Sequence, residues 1–259
     1  MKSFKLLWQH RELLYEMVSR EIKARYKQSI LGYFWVILNP LAQMVVMTIV
    51  FSYIMRIPSL GVPYAIFLYC GLLPWTFFVN ALSSATNSLV DNASLIKKIY
   101  FPREVFPLAA VIAKIIDLIL ASTLFILLMI VYHQPFTFNI LWVLIIFPAQ
   151  FVFTLGLSLL FSTFNLFYRD IQYLLSLILM LWMYLTPVIY PVDIVPARFR
   201  FIFAMNPMSV LINAYREVIL AHGIPNLAHL GLAYLVSLVT LFISYKIFKK
   251  LEGVFADVV

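Results

Sequence analysis

Residues Leu118 to Tyr168, LILASTLFILLMIVYHQPFTFNILWVLIIFPAQFVFTLGLSLLFSTFNLFY, contain no Asp, Glu, Lys or Arg. A helix needs about 20 largely apolar residues to cross a bilayer core, so this stretch alone holds two crossings. His133-Gln134-Pro135 breaks it near the middle, where proline ends one helix before the next begins. No buried soluble core needs uncharged runs of this length. Ile57 to Val90 and Val218 to Tyr245 are likewise free of charged residues. Of the 259 residues 64% are hydrophobic and only 12% charged, with a mean hydropathy of +0.97. A soluble domain would carry about a quarter charged residues. The reading is an all-α, polytopic membrane protein.

Six spans are expected outward from that stretch: Tyr33 to Met55, Pro63 to about Asn87, Val105 to Tyr132, Asn139 to about Phe167, Ile171 to Tyr190, and about Asn226 to Phe248. This divides the chain into an amino-terminal interfacial segment (1–32), a transmembrane domain (33–248) and a tail (249–259). The net charge of +8 is distributed by topology and not as a nucleic-acid footprint. With the amino terminus inside, fourteen Lys and Arg fall on inner segments, against Arg198, Arg200 and Arg216 outside. That asymmetry predicts cytoplasmic termini. Met1 to Lys27 is charged throughout and lacks the apolar core of a signal peptide. Insertion is therefore expected from the first span, with the chain retained whole. One cysteine, Cys70, excludes an intrachain disulfide, and the four histidines show no metal-ligand spacing.

Departures from plain hydrophobicity are more informative. Leu13, Leu14, Met17, Val18, Ile22 and Tyr26 recur at helical spacing, and Glu16–Arg20 and Glu21–Arg25 are favourable i,i+4 pairs. Arg20, Lys23 and Lys27 suit anionic lipid headgroups. In DNASLIKKIYFPRE (Asp91 to Glu104), Leu95, Ile96, Ile99 and Tyr100 form one apolar face, Lys97 and Lys98 point elsewhere, and Pro102 stops the helix. Such a segment on the inner side fits a docking anchor in a partner's groove, although an ordinary interfacial loop is the commoner origin of this pattern. Pro191 to Pro225 is too broken to span. Ile202 to Met208 and Val210 to Leu220 read as short helices split at Asn206-Pro207, forming either a re-entrant hairpin or an outer cap.

Two polar stripes follow helical spacing. Thr76, Asn80, Ser83 or Ser84 and Asn87 mark the second span; Gln150, Thr154, Ser158, Ser162 and Asn165 mark the fourth. Helix packing is the commoner use of such stripes and a conduit lining the rarer. Lys114 and Asp117 lie at i,i+3 deep in the third span, where mutual neutralisation favours a structural pair over a proton relay. There is no glycine-rich phosphate loop and no carboxylate pair suited to glycosyl transfer; Asp170 sits beside Arg169. Any energy source must come from elsewhere. A passive channel and a membrane-embedded glycan-processing enzyme stand as rival classes.

Four stretches carry a resemblance: REIKARYKQSILGYFWVILNPL (Arg20 to Leu41), YCGLLPWTFF (Tyr69 to Phe78), LIKKIYFPREVFPL (Leu95 to Leu108) and YLTPVIYPVDIVPARFRFIFAMNPMSVLINAYREVIL (Tyr184 to Leu220). In order and spacing they resemble the polysaccharide-export permeases of ABC transporters, which export O-antigen, capsule or teichoic acid, and are most like the O-antigen branch. The resemblance implies a channel-forming homodimer in the bacterial inner membrane, with two copies of a separate ATPase that bind the ATP and Mg2+. It implies a lipid-linked polysaccharide as cargo, a drug or other small molecule being the alternative. It assigns Leu95, Ile96, Lys97, Lys98, Ile99 and Tyr100 (within about 91–102) to a coupling helix. Tyr33, Trp35, Trp182 and Tyr184 become the stacking surface of the channel. Pro191, Pro196, Asn206, Pro207, Tyr215 and Arg216, within about 191–225, become an outer gate. No further soluble domain and no cofactor of its own are expected.

Overall fold

The computed structural model describes residues 11–26, 32, 34–59, 61–98 and 101–258. All regular structure among them is helical. In chain order these are α1 (Arg11–Tyr26), α2 (Phe34–Thr48, extended by a π-helical turn Ile49–Ile54), α3 (Tyr64–Asp91), α4 (Ala93–Lys98) and α5 (Val105–Val131). Then come α6 (Val143–Phe167, preceded by a 3-10 turn Phe138–Trp142), α7 (Ile171–Tyr184), α8 (Arg200–Met205), α9 (Pro207–Ile219), α10 (Leu227–Leu251) and α11 (Phe255–Val258).

Five of these helices are long and apolar enough to cross a membrane: Phe34–Ile54, Tyr64–Asp91, Val105–Val131, Phe138–Phe167 and Leu227–Val254. They match five of the expected spans. In the remaining expected span, Ile171 to Tyr190, the helical part, α7, stops at Tyr184 after 14 residues. At 1.5 Å per residue that is about 21 Å, short of a hydrocarbon core of about 30 Å. The reason lies in Thr186-Pro187. Proline has no N–H to continue the ladder and pushes its predecessor out of the helical region.

The bundle is built around α3. In its most apolar window 83% of residues are buried, against 6% in α2. It is flanked by α2, α5, α6, α7 and α9. Tyr69, Phe67, Phe78, Leu68, Leu72 and Leu82 are fully enclosed, and Tyr69 Oη donates to the Ala121 carbonyl of α5 at 3.2 Å. The two ends of α3 lie about 42 Å apart, from 28 residues at 1.5 Å each. At one end Tyr64 Oη donates to the Ile189 carbonyl at 2.7 Å. At the other, the Arg20 guanidinium of α1 donates to Asn92 Oδ1, just before α4. The segment after α7 and the α4 segment therefore occupy opposite ends of the bundle.

Close helix approach replaces the hydrophobic drive that lipid does not supply. Gly156 of α6 lies against the backbone of Leu241 in α10: a Cβ there would come within 2.8 Å of the Leu241 nitrogen.

Candidate functional site

Along one side of α3 the bundle opens into a cavity of about 760 Å³ between α2, α3, α5 and α7. The expected second-span stripe contributes directly: Thr76, Asn80 and Ser83 line it. Asn39 and Gln43 of α2 and Ser176 of α7 face them, with Trp35, Met180 and Met183 supplying apolar surface. Lys114 and Asp117 of α5 complete the wall, paired at 3.5 Å with side chains only 12% and 18% exposed. Mutual neutralisation lowers the cost of keeping both charges at this depth. The surface mixes amide, hydroxyl and thioether groups with the indoles of Trp35 and Trp75. Such a lining offers hydrogen bonds to a polyol while holding it by no single strong contact.

The fourth-span stripe does something else. Gln150, Thr154, Ser158, Ser162 and Asn165 are all buried. Gln150 Nε2 donates to the Pro74 carbonyl at 2.7 Å and its Oε1 accepts from Tyr215 Oη at 2.9 Å. Asn165 Nδ2 donates to the Thr86 carbonyl and to Asn87 Oδ1, both at 3.1 Å. This stripe binds α6 to α3 and α9.

Of the four aromatic positions assigned to the channel, three are among the described residues. Tyr33 lies outside the described residues. Trp35 is 44% exposed and borders the cavity. Trp182 is half-buried against the core, edge-on to Phe78 at 5.4 Å and Phe153 at 6.1 Å. Tyr184 is exposed at the last turn of α7.

The six positions assigned to the outer gate divide into anchors and free surface. Residues 185–190 turn back on themselves, 3-10 turns follow at Val192–Ile194 and Ala197–Phe199, and α8 leads to α9. Pro191 is buried, whereas Pro196 is exposed and precedes the second 3-10 turn. At the hinge, Asn206 Oδ1 accepts from the Met208 N–H at 3.1 Å, capping α9, and its Nδ2 donates to Thr186 Oγ1 at 2.9 Å. Pro207 then starts the helix, at a position where no N–H is needed. Asn206→Ala is expected to destabilise this junction by about 1 kcal/mol. Amide hydrogen exchange over 207–211 checks this, and unchanged exchange would refute the capping role.

α8 is largely exposed, whereas α9 is buried along most of its length among α3, α6 and α10. α9, 13 residues long, is thus enclosed by the bundle, and α8 lies on its surface. Tyr215 and Arg216 are the roots of α9. Arg216, counted from sequence on an outer segment, is 3% exposed. Its guanidinium donates to the carbonyls of Pro187, Val188 (2.6 Å), Phe67 and Tyr190. It also lies 3.7 Å above the Phe67 ring. Gly71 makes room: a Cβ there would stand 2.6 Å from Arg216 Nη2.

At the opposite end, α4 is held by its own chain. Ile96, expected on a docking face, is 3% exposed and sits in a core with Leu89, Phe101, Phe106, Leu166, Phe248 and Phe255. Leu95 is half-buried against the same core, and Leu13 and Met17 of α1 pack there too. Ser94 and Lys97 are exposed. The Lys98 side chain, Ile99 and Tyr100 lie outside the described residues. Leu95 and Ile96, which periodicity places on one apolar face, both turn toward this core.

Sequence reasoning passed over Gly71, Gly156 and Phe255. Signals existed for each: a glycine costs stability inside an apolar helix unless something needs the space, and an aromatic residue in a charged tail needs a core to enter.

Comparison with known proteins matches residues 12–220 to the family of ABC-2 type transporters. The chain is 34% identical to the O-antigen export system permease protein RfbA of Klebsiella pneumoniae over 95% of both chains. It is 33% identical to the protein of that name from Myxococcus xanthus, covering 97% of this chain and 96% of the relative. A more distant relative, the polysialic acid transport protein KpsM of Escherichia coli, is 24% identical over 90% of this chain and 91% of its own.

Proposed function

Because this chain belongs to the ABC-2 type transporter family and is a transport permease subunit rather than an enzyme, we propose that it moves a lipid-linked polysaccharide, O-antigen first among candidates, across the bacterial inner membrane. The observation that carries this reading is the end-to-end similarity to relatives named for O-antigen export. ATP and Mg2+ are held by a separate ATPase subunit, since the sequence has no phosphate loop of its own. The working unit is a homodimer with both termini in the cytoplasm. In each copy the sixth crossing is made by α7 together with the turn at 185–190.

In this scheme the cavity between α2, α3, α5 and α7 is one wall of the conduit, and the second copy supplies the facing wall. Asn39, Gln43, Asn80 and Ser83 offer exchangeable hydrogen bonds to sugar hydroxyls, and Trp35 offers a ring face. The α4 segment, with Ser94 and Lys97 outward, is the contact for the ATPase. The hairpin of α8 and α9 closes the outer end, with α8 as its movable half.

Asn80→Trp places an indole in the cavity without touching the fixed core. Surface polysaccharide is expected to fall at least ten-fold while the permease and its ATPase still co-purify. Normal export would remove the cavity from the path. The cargo is tested by reconstituting the permease with its ATPase and offering lipid-linked glycans of the O-antigen, capsule and teichoic acid types. Stimulation of ATP hydrolysis by small amphipathic drugs and by none of the glycans would overturn the polysaccharide reading.

A further inference from the structure

After α10 the chain does not leave the bundle. It turns through a 3-10 segment, Glu252–Val254, into α11 and folds back. Phe255 is fully buried, edge-on to Phe248 at 5.2 Å and to Phe167 at 6.1 Å. It shares one core with Ile96 of α4 and with Phe101 and Phe106, which follow α4. Direct contact joins α11 to α4. Polar bonds reinforce the same joint. The Arg103 N–H donates to Glu252 Oε1 at 3.1 Å, and the Arg103 guanidinium donates to the Glu252 carbonyl and lies 5.8 Å from the Phe255 ring centre. Lys249 completes the joint, 2.8 Å from Glu252 and 2.7 Å from the buried Glu104.

A helix of six residues has too few hydrogen bonds to persist alone. The direction of its exposed face is therefore set by what stands behind it. Behind α4 stand α1, through Arg20 and Asn92, and the hook formed by residues 252–258. The hook is continuous with α10, which packs along α6 at Gly156.

We propose that the carboxy-terminal hook, Glu252 to Val258, is a positioning brace for α4: it fixes the pose in which Ser94 and Lys97 meet the ATPase subunit and passes thrust on α4 into α10. The brace rests on the docking reading of α4, yet the two can fail separately. Phe255 is a positioning residue; it touches neither cargo nor nucleotide.

The test uses the full chain in nanodiscs, alone and with the ATPase subunit that co-purifies with it. In Phe255→Ala, amide exchange over residues 93–98 is expected to rise at least ten-fold and the Kd for the ATPase subunit to weaken at least five-fold. Phe255→Leu should restore most of both. Glu252→Ala, a gentler lesion, should raise exchange about three-fold by weakening the polar joint. Slow labelling of Cys70, buried at the far end of the bundle, shows in each variant that the fold is otherwise intact. Should Phe255→Ala misfold, Glu252→Ala alone decides. Unchanged exchange over 93–98 overturns the brace. Raised exchange with unaltered ATPase affinity upholds the brace and overturns docking at α4.

Discussion

Arg216→Met is expected to unlock the hairpin end of the bundle, and Cys70 reports it. Methionine fills much of the space of arginine and is at home in an apolar setting, but it donates no hydrogen bond. The carbonyls of Pro187, Val188, Phe67 and Tyr190 would lose their shared donor. Each buried polar group left unpaired costs about 1–3 kcal/mol. Against this stands the gain from no longer burying a charge, one of whose donors, Nε, has no partner. Four lost acceptor contacts outweigh that gain, leaving a net cost on the order of 3 kcal/mol. Cys70 is 3% exposed and adjoins Gly71, over which the guanidinium lies. Its labelling by a thiol dye should accelerate more than ten-fold in detergent. Arg216→Lys should recover less than half of the loss, because a single ammonium cannot span carbonyls on both α3 and the 187–190 turn. A wild-type labelling rate in Arg216→Met would refute the anchoring role.

Gly156→Val should be nearly as damaging, by a different route. The contact at this position is with backbone, since a Cβ would meet the Leu241 nitrogen at 2.8 Å and its Cα at 2.9 Å. Backbone cannot rotate away as a side chain can, so α6 and α10 must separate. Separation loosens Ser237 and Phe248, which are buried in α10, and with Phe248 the core behind α4. Overpacking typically costs about 1–3 kcal/mol, and a clash between two helix backbones belongs at the upper end. Thermal unfolding in detergent, followed by the same thiol, should show a clear loss for valine and a smaller one for Gly156→Ala. An unchanged unfolding midpoint in the valine variant would mean that the two helices do not depend on close approach.

The expected spans and the observed helices agree best where hydropathy alone decides, as at Leu118 to Tyr168. Hydropathy says nothing about which apolar helix faces lipid and which is enclosed, because both surroundings are hydrocarbon. α2 and α3 look alike in sequence, yet one is mostly exposed and the other mostly buried. For the same reason the packing of Trp182 on Phe78 and Phe153 could not be read from the sequence. The end of α7 was legible in Thr186-Pro187 and was outweighed by the apolar residues beyond it. The burial of Arg216 was not legible, because the carbonyls that receive it come from Phe67 and from residues 187–190. Asn206-Pro207 was read correctly, because capping is local. At α4 the amphipathic period was visible. Its sense depended on Phe255, more than 150 positions later in the chain.

The enclosure of α3 also sets a timetable. Phe67 and Arg216 are separated by 149 residues, and synthesis proceeds at about 5–20 residues per second. For roughly 7 to 30 seconds after Phe67 is made, the helix waits in the membrane without the arginine that ties down its beginning. Asn87 waits as well, since α6 and its Asn165 also emerge later. Its amide must meanwhile be shielded by the insertion machinery or by water. The stage most exposed to quality control in the life of this protein is thus the interval when its central helix exists and its neighbours do not.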